Sequence, residues 1–174
     1  MTDPRNGLKD FALDVYGCDG VPAAAVLLQD RCGVDVNLLL LAAHVGAVLG
    51  SSFTGKDLAA ANARTRAWQR DVIGPLRAVR TRLKDGPPPA PNTATATLRE
   101  RIKALELDAE MIELAELSDF ETQLDSAAAP GGAEERAAAA MQVVVGGGAA
   151  REPRPDERGA ITVIASAAAQ FSRR

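Results

Sequence analysis

The sequence predicts an all-α fold, a bundle of about six or seven helices with a long kinked fourth helix and a coiled-coil-like fifth. Three observations carry this expectation. Apolar residues recur at spacings of three and four through almost the whole chain. Hydrophobic residues make up 47% of the chain but aromatic ones only 3%, so the core must be built from Leu, Val, Ile and Ala. Long alanine runs favour helices packed closely on helices. With 174 residues, the chain is long enough for one helical domain over 1–174 with a real core.

The first helix is marked by Leu8, Phe11, Ala12 and Val15, the i, i+3, i+4, i+7 pattern, with Asn6 placed to cap it. "GCDG" breaks the chain, and Pro22 suits the first residue of a second helix. That helix is expected to reach about Arg31 and stop at Gly33, a natural left-handed terminator. Asp35 then opens a leucine-rich third helix ending near Gly50. Thr54 with Asp57 three residues later resembles a capping box for a long fourth helix, which Pro75 interrupts.

Residues 86–97 form a Pro-rich, polar and extended linker. The spacing of Thr97 and Glu100 predicts a capping box for a fifth helix running to about Leu124. The Ala/Gly-rich segment 127–174 holds short helices at 133–145 and from about Ala160, and is expected to dock loosely. "VVVGGGAA", 143–150, reads as a helix end running into a flexible glycine loop rather than a dinucleotide loop, since no G-x-G-x-x-G is completed.

The longest apolar run, Leu38 to Leu49, spans roughly 18 Å as a helix, short of the ~30 Å hydrocarbon layer. With no apolar leader at the start, the expected setting is cytoplasmic, with no membrane partner and with Cys18 and Cys32 as reduced thiols. The net charge of −3 gives no global attraction to nucleic acid, which is not an expected partner.

Charge is nevertheless sorted along the chain. Lys56 to Lys103 carries eleven basic and four acidic residues, whereas Ala104 to Glu135 carries ten acidic and no basic ones. On a helical wheel Arg66, Arg70, Arg77, Arg80 and Lys84 fall within roughly 80° of one another, a basic stripe distinct from the face that holds Trp68. The stripe suits phosphate groups, RNA or an acidic partner; pairing with the acidic helix of the same chain is the alternative that the opposed charges favour. Trp68 is expected to be buried between the fourth helix and the leucine helix.

"GSSFTGKD", 50–57, nearly matches a phosphate-binding loop, but a helix precedes it and Asp57 stands where phosphate charge would gather. A helix-to-helix turn is expected there. His44 is the single histidine and lies on an apolar helix, as a core or pocket-lining residue would. No catalytic constellation, metal site or cofactor is expected, because the candidate acid–base groups are few and scattered. "QDRCGVDVN" is the strongest candidate site. Gln29, Asp30, Arg31, Asp35 and Asn37, with His44 further along, either cap the leucine helix or hold a small apolar or anionic ligand at its N-terminus.

The fifth helix carries two apolar seams, Leu98, Ile102, Leu105, Ala109 and Ile112 on one side and Leu107, Met111 and Leu114 on another. With only a low-complexity tail to cover them, the helix 98–124 is expected to bind a protein partner or to form a homo-oligomer through the second seam.

Three segments together, "DFALDVYGCDGVPAAAVLLQDRCGVDVNLLLLAAHVG", "WQRDVIGPLRAVRTRLK" and "LRERIKALELDAEMIE", resemble a family of small, mainly proteobacterial proteins recorded as a domain of unknown function, number twenty-three ninety. The resemblance covers about residues 8–126. Its motif cores fall at Gln29, Asp30, Arg31, Gly33, Asp35, Val36 and Asn37, and at Trp68, Pro75, Leu76 and Arg77. It implies a small cytoplasmic all-helical protein and no particular reaction. The expected role is therefore a non-enzymatic helical interaction protein, with a ligand-binding module at 29–44 as the alternative.

Overall fold

A computed structural model describes the backbone of residues 4–124 and 127–173, and side chains from Gly7 onward within those ranges. Its named elements are all helical: α1 (Pro4–Tyr16), α2 (Val21–Cys32), α3 (Val36–Ala47), α4 (Gly55–Trp68), a π-helical turn (Gln69–Ile73), α5 (Gly74–Asp85), α6 (Thr93–Glu121), α7 (Ala133–Ala149) and α8 (Pro155–Phe171). With α4, the π turn and α5 counted as one rod, the described residues hold seven helices, as the periodicity predicts. They divide into two compact units, residues 1–61 with 117–174, and residues 62–116.

The first unit is built around α3, whose residues Leu38 to Ala47 are all buried. Such a helix has no polar face to offer, so neighbours must cover it all round. They do: α1, α2, α7 and α8 all pack on it, α7 most extensively. The Ala/Gly-rich C-terminal segment is therefore not loosely docked. It supplies Ala137, Ala140, Met141, Val144 and Val145 from α7, and Ala160, Ile161, Ile164 and Ala165 from α8, to the core.

Small residues allow this close packing. A Cβ at position 46 would lie 2.5 Å from the Arg136 carbonyl oxygen and 2.7 Å from the Ala137 nitrogen, so α3 and α7 touch backbone to backbone. Residues 146–148, expected as a glycine loop, instead continue α7. The reason is proximity: a Cβ at Gly148 would stand 2.7 Å from the Cys32 carbonyl oxygen, and one at Gly147 would stand 2.6 Å from the Leu58 side chain.

Helix ends follow local chemistry in most places. Gly33, at φ +64°, ends α2 with its N–H on the Gln29 carbonyl at 3.0 Å. The Thr54–Asp57 box closes as expected, with the Thr54 N–H on Asp57 at 2.8 Å and the Asp57 N–H on the Thr54 hydroxyl at 3.3 Å. "GSSFTGKD" is thus a turn between helices, held by a bridge between Ser51 and Ala128. Asn6 falls inside α1 rather than ahead of it, and its side chain lies outside the described atoms.

Glu157 is a buried member of the first turn of α8. It accepts two hydrogen bonds from the Arg151 guanidinium, at 2.6 and 2.8 Å, and one from the Arg154 N–H at 2.7 Å. The Arg151 pair first, and the Arg154 N–H next, lower its pKa from 4.5 to about 2. Because the folded value lies below the unfolded one, the stabilisation is complete above about pH 4.5 and is lost as pH falls towards about 2. In urea titrations across that window, the midpoint of Glu157→Gln should fall less steeply with pH than that of the parent. Equal slopes would show that this carboxylate does not contribute to acid unfolding.

In the second unit the break at Pro75 takes the form of a π turn. The Gly74 N–H reaches the Gln69 carbonyl, five residues back, which makes room for a proline ring that cannot donate to the ladder. A Cβ at Gly74 would lie 2.9 Å from that oxygen.

Two expectations on α6 and its surroundings need correction. The helix starts at Thr93, not Leu98, because Asn92 and Thr95 exchange 2.9 Å hydrogen bonds as the cap, which shortens the linker from 86–97 to 86–92. Thr97 lies inside the helix, its hydroxyl donating to the Thr93 carbonyl. Trp68, expected to be buried, is half-buried on α6, with Nε1 donating to the Ala109 carbonyl at 3.0 Å.

Candidate interaction surface

The polar segment after α2 resolves into separate structural tasks. Asp35 caps α3, accepting from the Asn37 N–H at 2.8 Å. The exposed Arg31 pairs with Asp156 at the start of α8, while Asp30 faces solvent and Gln29 contributes its carbonyl to the end of α2. Cys32 is buried, and that burial, followed by the nearby Glu157 carboxylate, pushes its thiol above the ordinary range. His44 lies nine positions beyond Asp35, about 13 Å along the helix axis. These residues do not converge on one site.

His44 has a partner that no local spacing reveals. Its Nδ1 lies 2.5 Å from Oε1 of Glu121, and the two residues are only 3% and 8% exposed. Phe11 meets the imidazole edge-on at a centroid distance of 4.9 Å, and Phe171 packs on Phe11 in turn. Such a pair satisfies two polar groups inside an apolar core and fixes the ring against the carboxylate. Among the described residues, no three His, Cys, Asp or Glu side chains gather as a metal site requires.

In the second unit the basic stripe is not continuous. The π turn adds a residue to one turn and so rotates the later half of the rod by about 100° against a straight helix. Arg77 then reaches Glu106 and Glu110, at 2.8 Å each, and Arg80 also binds Glu106. Earlier in the rod Arg64 pairs with Glu116 and Arg70 with its neighbour Asp71. Arg66 and Lys84 are exposed and make no ion pair among the described residues. Burial pushes Glu106 up, but the hydrogen bonds from Arg80 and Arg77 outweigh it and hold the carboxyl below its ordinary value. Two guanidinium groups of the stripe are thus occupied by the chain's own acidic helix.

That pairing sets the rotation of α6. Glu106, Ala109 and Glu113 are buried, and the helix presents a different side outward. Leu98, Leu105 and Ile112 are 45%, 55% and 54% exposed, at intervals of seven residues. Arg101 and Asp108 are also exposed, and at 100° per residue all five fall within about 80°. The exposed seam is therefore 98-101-105-108-112, displaced by one position from the expected 98-102-105-109-112. The second expected seam does not face solvent as a unit: Leu107 is exposed, Met111 is half-buried and Leu114 is buried at 2%. No single helix among the described residues is long and apolar enough to cross a membrane.

No curated protein and no solved structure matches this chain. A family described as "Protein of unknown function (DUF2390)" matches residues 8–117, which takes in α2 with its Gln29–Asn37 corner and the outward-facing seam of α6. Since that match covers more than half of its length, the chain belongs to the DUF2390 family of proteins of unknown function.

Proposed function

We propose that this is a non-enzymatic, cytoplasmic helical interaction protein that docks a partner helix on the outward face of α6. The observation that carries the reading is the apolar line Leu98, Leu105 and Ile112, each about half exposed on one stripe of a long helix. A heptad repeat of this kind is what a second helix packs against. Exposed apolar residues scattered singly need no explanation, whereas three in register on one helix form a surface. The candidate ligand site at 29–44 is less favoured, since Arg31, Asp35 and His44 each have a structural partner.

A photo-crosslinking residue, p-benzoylphenylalanine, placed at Leu105 in cells provides the test, with Asp10, exposed on α1, as the control position. Crosslinks to a polypeptide, of this or another chain, should form from position 105 and not from position 10. Failure to trap any polypeptide at 105, or equal trapping at both positions, would overturn the reading.

A further inference from the structure

The outward seam of α6 reads, from Ala94 to Ala115, as Ala94, Leu98, Arg101, Leu105, Asp108, Ile112 and Ala115, with alternating spacings of four and three. All seven residues are exposed. The order is nearly palindromic about Leu105. Leu98 and Ile112 lie seven residues to either side, Arg101 and Asp108 four and three, and alanines close both ends. Between Ala94 and Ala115 the flanking positions Thr97, Ile102, Ala104 and Ala109 are uncharged, so over that span no charged flank separates this seam from a helix laid on it.

Building on the docking role of this face, we propose that its occupant is a second copy of the same chain, lying antiparallel across α6 about a two-fold axis at Leu105. A two-fold contact uses the same patch on both copies and must therefore be self-complementary. Antiparallel pairing places Leu98 against the second copy's Ile112, and Arg101 beside the second copy's Asp108, twice over. Parallel pairing would set Arg101 against Arg101 and Asp108 against Asp108 inside a partly dehydrated seam, which like charges oppose. Opposite charges placed symmetrically about an apolar centre thus select both the partner and its direction. Fixing register by a polar pair within an apolar seam is a known use of such residues in helix pairs, at some cost in affinity. The association is accordingly expected to be reversible and dependent on concentration.

Sedimentation equilibrium of the full chain from about 1 μM to about 1 mM should show the mass rising towards that of a dimer. Leu105→Glu should abolish the rise. Arg101→Asp and Asp108→Arg should each weaken association by about tenfold or more, through two new like-charge contacts. The double variant Arg101→Asp with Asp108→Arg should return to within about threefold of the parent, since it rebuilds the same pairs reversed. All three positions are exposed, so far-ultraviolet circular dichroism should match the parent; if Leu105→Glu lost helix, the charge variants would still decide the matter. A parent chain that stays monomeric over the whole range overturns self-pairing, and so does a dimer indifferent to Leu105→Glu. A dimer lost with Leu105→Glu but unmoved by either single charge reversal overturns the antiparallel register. Self-pairing and the docking role fail separately: a monomeric parent whose position 105 still crosslinks a different polypeptide in cells refutes the first and leaves the second standing.

Discussion

Gly46→Val is expected to lower the free energy of unfolding by about 3 kcal/mol or more, the upper end of what forced overpacking costs in a filled core. At this position the neighbour is peptide backbone: the new Cβ would meet the Arg136 carbonyl carbon at 2.6 Å and its oxygen at 2.5 Å. A side chain could swing away, but a helix backbone can yield only if α7 moves off α3. Displacement would also strain the hydrogen bond from Arg136 Nε to the Gly46 carbonyl, now 2.9 Å. In an exposed helix, replacing Gly by Ala gains roughly 0.5–1 kcal/mol, so a stabilised Gly46→Ala would show that the two helices do not meet this closely in solution. Urea denaturation with an unchanged slope is the measurement, the shift being read from the midpoint.

The second large effect is expected at Glu121. Glu121→Leu leaves the His44 ring nitrogen facing an apolar group in a site that is 3% exposed. An orphaned buried polar group costs about 1–3 kcal/mol, and imperfect packing of the branched replacement adds to that. Glu121→Gln should cost much less, because an amide oxygen can still accept from the imidazole. His44→Leu combined with Glu121→Leu should cost less than the sum of the single changes, since removing both partners leaves neither unsatisfied. Strict additivity would mean that the two side chains do not interact in solution.

Local chemistry made some of this architecture legible and hid the rest for identifiable reasons. Asp35, Gly33 and the Thr54–Asp57 pair act within a few residues, so their caps could be read directly. The start of α6 could not, since Asn92–Thr95 and Thr97–Glu100 are both plausible boxes and the Thr-Ala repeat between them is helically neutral. Three consecutive glycines look like a loop by intrinsic propensity, at about 1 kcal/mol each against alanine in a helix. Contact with Cys32 and Leu58 reverses that preference, and contact is invisible in a single segment. The His44–Glu121 pair spans 77 positions, and no periodicity links such distant residues. At the interaction face the three anchors Leu98, Leu105 and Ile112 were legible as a heptad line. Whether residues 101 and 108 or 102 and 109 join them depends on a rotation of only about 40° about the helix axis. Arginine pairing to Glu106 decides that rotation.

The discontinuous first unit has a consequence for biosynthesis. Residues 62–116 form a continuous unit, available as soon as they leave the ribosome. The other unit needs Met1–Ala61 and Leu117–Arg174 together, so α3, apolar over its whole circumference, emerges long before α7 and α8 exist to cover it. During elongation at about 5–20 residues per second, that helix stays uncovered for several seconds. Translation of residues 48–171, rather than the intrinsic speed of helix formation, then sets how long that helix is exposed to aggregation and to chaperone capture. A ribosome stalled within this stretch would release a polypeptide whose most hydrophobic helix has no cover, a natural substrate for quality control.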